Sequence, residues 1–215
     1  MALLEVKDLQ AGYGRARVLF DASLDLSAGE VVMLAGRNGA GKSTTLKAIM
    51  GLVERSGEVR CNGERIDRLE PFQVARRGIG YVPEDRRVFT ELTVAENLEV
   101  GRRAPHSQLP PWDEERVFAL FPNLAAMRQR RAAEMSGGEQ KMLAIARTLM
   151  GNPLAILLDE PSEGLAPLVV RQVAQAIAEL KRAGLAVLVC EQNAHFAERL
   201  VDRGYRIEKG RISAS

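Results

Sequence analysis

The stretch Gly36-Arg37-Asn38-Gly39-Ala40-Gly41-Lys42-Ser43 decides the fold, because it matches G-x-x-x-x-G-K-[ST] between an apolar run and a helical pattern. Glycines at these positions let backbone N–H groups face an anion, and the start of the following helix adds positive potential. Lys42 would neutralise the outer phosphates of ATP, and the Ser43 hydroxyl would ligate Mg²⁺. The sequence therefore predicts a nucleotide-binding loop that extends to Thr44. A simple glycine-rich turn, or a loop that binds phosphate without hydrolysis, are the alternatives.

Short apolar runs alternate with helical patterns along the chain, which is typical of an α/β fold with a parallel sheet. The runs that we expect to form buried strands of the central sheet are Val31 to Leu34, Ile79 to Val82, Ala155 to Leu158 and Ala186 to Val189. The expected amphipathic helices run from Lys42 to Met50, from Ser136 to Leu149 and from Pro167 to Leu180.

Two further regions have a different character. The first thirty residues alternate in polarity, which predicts an antiparallel β layer beside the core. The stretch from about 95 to 134 carries mostly helical signals. We expect one domain over residues 1–215, with about 1–94 and 151–215 forming the core and β layer and about 95–150 forming an inserted helical subdomain.

Composition limits the function classes. With 46% hydrophobic and 27% charged residues and a formal net charge of +2, the chain reads as an ordinary globular protein without a general affinity for nucleic acid. Its apolar runs fall short of a membrane span, and the opening residues lack an export signal, so we expect a cytosolic protein. Cys61 and Cys190 are far apart, which favours reduced, buried thiols.

An acidic pair follows the apolar run that starts at Leu154. Asp159 and Glu160 end this predicted strand, and ligands of doubly wound sheets bind at such strand ends. Asp159 would hold the Mg²⁺ shell, while Glu160 would orient and polarise the attacking water as the catalytic base. The alternative is that the two acids only cap the following turn.

The segment Met135-Ser136-Gly137-Gly138-Glu139-Gln140 opens a helix about twenty residues before that pair. It resembles the LSGGQ signature, and with the loop, the acids and Ser162-Glu163-Gly164-Leu165 as D-loop the chain is identified as a member of the ABC ATPases. The resemblance implies that Ser136, Gly137 and Gly138 cap the γ-phosphate of ATP bound to a second ABC ATPase chain. It also implies that Tyr13 stacks on adenine, against the alternative of a surface tyrosine.

Two positions depart from the family pattern. Glu84 stands where most members carry a glutamine that contacts Mg²⁺, and Gln192 stands where they carry a switch histidine. Glu84 is a stronger Mg²⁺ ligand but adds negative charge, whereas Gln192 can donate an amide hydrogen bond to the γ-phosphate but cannot exchange a proton. Proton handling would then fall on Glu160. His195 lies nearby, and we assign it no role.

The stretches VPEDRRVF, LLDEPSEGLAP, EQNAHFAERL and DRGYRIEKGRI resemble the smaller ATPase of branched-chain amino-acid importers. This implies two different ATPase chains, two permease subunits, an external binding protein and a place at the cytoplasmic face of the membrane. A homodimer of this chain is the alternative to the heterodimer. Urea importer ATPases are the nearest rival, and lipopolysaccharide-extraction ATPases are more distant. The region after Glu84 would form part of the cleft for a permease helix, with Phe89 and Leu92 as contacts or as ordinary core residues.

Functions other than transport agree less well with the sequence. Arginines at 86, 87, 128, 130 and 131 lack interleaved aromatic residues, so a solvated face or a protein contact is favoured over nucleic acid. A soluble ABC ATPase acting on ribosomes or DNA would carry a tandem domain or a long coiled-coil insertion, and neither is present in the sequence. A regulatory module without turnover disagrees with Glu160 and the intact loop.

Overall fold

The computed structural model describes residues 2–105, 110–193, 196 and 200–214. In chain order the strands are β1 (Leu4–Tyr13), β2 (Ala16–Leu26), β3 (Val31–Ala35), β4 (Glu54–Cys61), β5 (Glu64–Arg65), β6 (Ile79–Val82), β7 (Ala155–Asp159), β8 (Ala186–Glu191), β9 (Arg203–Glu208) and β10 (Arg211–Ala214). The helices are α1 (Lys42–Ile49), α2 (Pro71–Arg76), α3 (Val94–Gly101), α4 (Glu114–Leu120), α5 (Pro122–Ala126), α6 (Gly137–Leu149) and α7 (Pro167–Arg182), with a 3₁₀ turn at Ala132–Glu134.

The central sheet follows the order β10-β9-β3-β8-β7-β6. All neighbouring pairs from β9 to β6 are parallel, while β10 is antiparallel to β9. The carboxyl ends of β3, β7 and β8 therefore lie next to one another at one edge, where such sheets bind ligands. The predicted parallel-sheet core is confirmed.

A second sheet, with the order β2-β1-β4-β5, is antiparallel throughout. It packs on one face of the central sheet together with α1, through an apolar cluster that includes Leu4, Leu46, Leu157 and Leu188. The predicted β layer is confirmed, and it extends past the first thirty residues because β4 and β5 complete it.

The opposite face of the central sheet packs against α6 and α7. Ile156 and Leu158 contribute to this second cluster, whereas their neighbours Ala155 and Leu157 belong to the first. This alternation follows from the two-residue period of a strand, and burying one leucine side chain stabilises the fold by about 2 kcal/mol. The central strands are thus covered on both faces.

The described part of the segment between β6 and α6 contains α3, α4 and α5, as the helical signals of the sequence indicate. Leu98 of α3, Val117 of α4 and Leu124 of α5 are buried in the same apolar cluster as α6 and α7. The fold class, with its inserted helices, is confirmed. The division into subdomains at about residues 95 and 150 stays a prediction.

The bounds of the elements differ from the predicted ones mainly at strand ends. β7 includes Asp159 and β8 includes Cys190 and Glu191. A hydropathy pattern stops at the first acid, but these carboxylates are buried and hydrogen-bonded in the fold, so the strand continues through them. Over the described residues, no helix is both long enough and apolar enough to cross a membrane.

Candidate functional site

The predicted nucleotide-binding loop joins the end of β3 to the start of α1. Gly41 caps α1 with φ of 116°, in the left-handed region, and a Cβ there would lie 2.9 Å from Cδ2 of Leu19. Only glycine fits this position without displacing the β layer. The loop borders a cavity of about 320 Å³. Its lining comprises Val18, Asn38, Gly39, Gly41, Lys42, Ser43, Thr44, Glu84, Glu160 and Glu163.

Lys42 and Glu160 form a buried ion pair in the lining of this cavity. The Lys42 Nζ lies 3.0 Å from Oε1 of Glu160 and donates to the carbonyl oxygens of Gly36 at 2.8 Å and Arg37 at 3.2 Å. Glu160 has φ of 42°, a strained conformation for this residue type, and its N–H donates to the Cys190 carbonyl at 3.0 Å. This turn directs the carboxylate back toward the loop.

Asp159 lies under the start of α1 and accepts two hydroxyl hydrogen bonds. The Ser43 Oγ is 3.0 Å from Oδ1, and the Tyr81 hydroxyl is 3.2 Å from Oδ2. Burial raises the pKa of Asp159 although both hydrogen bonds act in the opposite direction. Burial also raises the pKa of Tyr81, which therefore stays protonated and able to donate. A hydroxyl and a carboxylate in contact are the oxygen ligands that fit Mg²⁺ beside nucleotide phosphates.

Glu160 and Glu163 interact as a carboxyl pair. Burial disfavours ionisation of Glu160, but hydrogen bonds with Glu163 and Lys42 outweigh it, so the pKa of Glu160 lies below its usual value. The hydrogen bond to Glu160 raises the pKa of Glu163 to about 7. The negative charge of the pair is thus held mainly on Glu160, which suits that carboxylate to accept a hydrogen bond from water.

The signature residues form the first turn of α6. Ser136 is its N-cap: its hydroxyl accepts from the Glu139 N–H at 3.4 Å, while the Glu139 carboxylate accepts from the Ser136 N–H at 2.7 Å. A Cβ on Gly138 would lie 3.0 Å from Val169 of α7, and one on Gly137 would lie 2.6 Å from the Arg86 guanidinium. Glycine thus allows both neighbours to approach the start of the helix.

The cavity unites only part of the predicted site. Of the predicted residues, those that line it are Asn38, Gly39, Gly41, Lys42, Ser43, Thr44, Glu84 and Glu160, whereas Gly36, Arg37 and Ala40 of the same loop do not. Asp159 lies beneath the lining and accepts a hydrogen bond from Ser43. Tyr13, at the tip of the β1–β2 hairpin and half exposed, is outside the lining, as are Gln192, exposed just after β8, and Ser136 to Gly138. A site that requires these residues must be completed by ligand or by another chain. His195 lies outside the described residues.

The region after Glu84 is predicted to form part of a cleft for a permease helix, with Phe89 and Leu92 as contacts or as core residues. Phe89 is exposed and the Arg147 guanidinium lies 5.0 Å from its ring centroid, whereas Leu92 is half-buried. Among the arginines, Arg87 pairs with Asp85 at 2.9 Å and Arg128 with Glu114 at 2.9 Å, both at the surface. Phe89 is therefore available for a contact, and Leu92 only in part.

Sequence reasoning missed three residues that organise the site. Tyr81 bonds Asp159, buried Glu191 accepts from the Ser162 N–H at 2.8 Å, and buried Lys141 donates to backbone carbonyls near Asp159. Glu191 gave a weak signal as an acid that ends an apolar run, like Asp159. Tyr81 and Lys141 gave none, because a strand tyrosine and a helix lysine have common structural roles.

Known proteins resemble this chain in both sequence and fold. The protein-family model described as ABC transporter matches residues 19–163. This chain belongs to the ABC transporter ATPases. It resembles the nucleotide-free ATP-binding cassette of an ABC transporter with a TM-score of 0.85 and 29% identity, over 100% of this chain and 90% of that one. It also resembles the dimeric post-hydrolysis state of an ATP-binding cassette bound to ADP and Pi, with a TM-score of 0.82 and 25% identity, over 98% of both chains.

Relatives with assigned roles cover nearly the whole ABC ATPase chain. The high-affinity branched-chain amino acid transport ATP-binding protein BraG of Pseudomonas aeruginosa is 44% identical over 98% of this chain and 91% of its own. The lipopolysaccharide export system ATP-binding protein LptB of Haemophilus influenzae is 35% identical over 100% of this chain and 90% of its own. The probable branched-chain amino acid transport ATP-binding protein LivF of Archaeoglobus fulgidus is also 35% identical, over 98% and 90%. The expected ABC-type ATPase activity is confirmed.

Proposed function

We propose that this ABC ATPase powers the import of branched-chain amino acids. It would act at the cytoplasmic face of the membrane as one of two ABC ATPase chains, beside two permease subunits fed by an external binding protein. The observation that carries this proposal is the 44% identity with BraG across 98% of the chain. The similarity to LivF points the same way.

Lipopolysaccharide export is the second candidate. Its support is the 35% identity to LptB over the full length of the chain, the same identity as to LivF. An ATPase subunit contacts nucleotide and permease and not the transported molecule, so the nucleotide site fits both candidates. The surface that contacts the permease must decide between them.

Nucleotide binding begins at the loop between β3 and α1. Lys42 is preorganised there by two carbonyl oxygens and by Glu160. An entering γ-phosphate would compete with Glu160 for the Lys42 ammonium, since both are anions within its reach. Binding would thereby free the Glu160 carboxylate for water. Tyr13 would stack on adenine, while Arg37 and Asn38 follow the phosphates along the exposed rim of the loop.

Ser43 and Asp159 would hold Mg²⁺, with Glu84 in the lining of the same cavity. When bound, the ion neutralises charge on the β- and γ-phosphate oxygens. Tyr81 keeps the Asp159 carboxylate oriented through its hydrogen bond. Chelation of divalent ions should therefore abolish turnover.

Glu160 would orient the water that attacks the γ-phosphate and accept its hydrogen bond. Gln192 would donate its amide N–H to the γ-phosphate without exchanging a proton. The first turn of α6 in the partner chain would complete the site, because its exposed N–H groups and helix dipole attract an anion. Each chain would thus contribute to two composite sites.

The decisive experiment is transport by the assembled system. The full chain would be co-expressed with candidate amino-acid permeases, placed in vesicles with a leucine-binding protein, and assayed for ATP-driven leucine uptake. We expect uptake that a Glu160→Gln chain does not support. If the ATPase assembles instead with lipopolysaccharide permeases and only they stimulate its turnover, the import proposal is wrong.

A further inference from the structure

One buried lysine contacts the backbone of the two segments that carry Asp159 and Glu84, but it does not line the cavity. Lys141, in the second turn of α6, is 2% exposed. Its Nζ donates to the carbonyl oxygens of Asp159 at 3.1 Å, Pro83 at 3.3 Å and Glu84 at 3.4 Å. All three hydrogen atoms of the ammonium therefore have a partner, and every partner is backbone.

These contacts join three separate segments. Asp159 ends β7, Pro83 and Glu84 follow β6, and Lys141 belongs to the helix that the signature begins. The side chains on the two receiving segments are those that would face Mg²⁺ and the γ-phosphate. One ammonium group thus fixes the backbone that carries them.

Simple core packing does not explain a lysine here. Burying an ammonium is costly, and a methionine of similar length would fill the same space without that cost. Burial accordingly lowers the pKa of Lys141, although the nearby Asp159 carboxylate acts to raise it. What the lysine adds over an apolar residue is directional bonding and a positive charge beside several acids.

We propose that Lys141 is a positioning residue for ATP hydrolysis, which ties the backbone of Asp159 and Glu84 to the signature helix α6. The first turn of α6 would bind the ATP of the partner chain. A movement of α6 would therefore also move Asp159, Glu160 and Glu84 of its own chain. The inference rests on the proposed hydrolytic site. It gives a role to a residue that belongs neither to the nucleotide-binding loop nor to the signature motif.

The test compares Lys141→Met, Lys141→Arg and Lys141→Gln in the full chain assembled with its permeases. Lys141→Met should lower kcat by about tenfold or more, with the Kd for MgATP of the isolated chain changed less than about twofold. Lys141→Arg, which keeps charge and donors, should recover most of the loss, and Lys141→Gln should recover less.

Thr148→Val is the matched control, because it deletes a side-chain hydrogen bond within the same helix, to the Ala144 carbonyl at 2.8 Å, away from the cavity. It should leave kcat unchanged at a comparable loss of thermal stability. A Lys141→Met chain with parental kcat, or one whose kcat and ATP affinity fall together, overturns the proposal.

If Lys141→Met does not fold, the order of Lys141→Arg above Lys141→Gln at equal ATP affinity supports the inference, and equal turnover overturns it. ATP hydrolysis by the parental chain distinguishes a failure of the proposed site from a failure of the positioning role of Lys141. If it fails to hydrolyse ATP, the proposed site itself is wrong. If it hydrolyses ATP and the Lys141 variants match it, only the positioning role fails.

Discussion

Lys42 and Glu160 are both buried and charged, and each is the other's counter-ion at 3.0 Å. Such a pair is costly to desolvate, and removing one partner leaves an uncompensated charge. Hydrolysis would use this property, because an incoming phosphate can replace Glu160 at Lys42 only if the carboxylate gains water in exchange. The strained backbone at Glu160 holds the carboxylate within reach of both partners.

Glu160→Gln is expected to separate binding from chemistry. The amide keeps the size of the side chain but cannot accept a proton, so turnover should fall by about 10² to 10⁴-fold. MgATP affinity should be retained or increased, since Lys42 is no longer held by a carboxylate. The measurements are steady-state phosphate release and nucleotide binding by the same preparation.

Glu208→Gln provides the control for this substitution, as it removes an exposed acid from the end of β9. It should leave both quantities unchanged. If Glu160→Gln hydrolyses ATP at the parental rate, Glu160 is not the catalytic base.

At the scale of elements, α3 and α6 begin with the same pair of residue types, a hydroxyl N-cap and a glutamate three residues later. Thr93 and Glu96 form a capping box on α3, as Ser136 and Glu139 do on α6. Each box satisfies N–H groups that a helix start would leave without partners. Only the box on α6 coincides with the signature, so the pair allows helix stability to be separated from phosphate contact.

Ser136→Ala and Thr93→Ala should each cost about 1 kcal/mol of unfolding free energy, because each removes one N-cap. Only Ser136→Ala should also abolish most hydrolysis, while the isolated monomer still binds ATP. Urea unfolding and phosphate release measure the two effects. Loss of ATP binding by the Ser136→Ala monomer, or equal turnover in both variants, would contradict a signature that acts on the partner's nucleotide.

How far the sequence predicts these elements depends on what determines them. The nucleotide-binding loop and the acids after β7 are predictable, because the backbone turn and the strand end impose residue types at fixed spacing. Lys141 and Tyr81 are not, since their importance comes from contacts between segments that lie 18 to 78 positions apart in the sequence. The extension of β8 to Glu191 also escapes hydropathy, because a hydrogen bond to the Ser162 N–H offsets the burial of that acid.

At the scale of the whole molecule, a charged network joins the two sheets. Arg203 of β9 donates to Asp25 of β2 at 2.8 Å and to Glu30, before β3, at 2.6 Å, while Tyr205 donates to Asp25 at 2.7 Å. The β layer that carries Tyr13 is thereby bonded to the sheet that carries the nucleotide-binding loop. This network therefore links stability with the relative placement of the proposed adenine and phosphate contacts.

Arg203→Met should lower the unfolding free energy by about 1 to 2 kcal/mol at neutral pH, an amount moderated by the partial exposure of the network. The hydrogen bond to Arg203 lowers the pKa of Glu30 from 4.5, so the stabilisation is present above that pH and is lost as pH falls through the lower folded value. The stability difference between parental and variant chains should thus shrink below about pH 4.5.

Urea unfolding at several pH values checks this expectation. Arg211→Met is the control, because its contact with Asp21 is longer, at 3.9 Å, and exposed. A difference for Arg203→Met that grows on acidification would contradict the role given to Glu30.

The proposed composite site predicts that two inactive chains can form an active dimer when they are mixed. Lys42→Ala removes the phosphate contact of the nucleotide-binding loop but leaves the signature intact, and Ser136→Ala does the reverse. Dimers of either variant alone contain no complete site. A mixed dimer contains one complete site, which pairs the loop of the Ser136→Ala chain with the signature of the Lys42→Ala chain.

Mixing the two inactive chains in equal amounts should therefore restore turnover to roughly a quarter of the parental value, because half of the dimers carry one of two sites. The recovered activity should depend on protein concentration. It should vanish when the Ser136→Ala chain also carries Glu160→Gln, because that chain supplies Glu160 to the one complete site. The same change in the Lys42→Ala chain should have no effect. Phosphate release across mixing ratios measures all three outcomes. If mixing restores nothing where the parental chain is active, each chain contains its whole site.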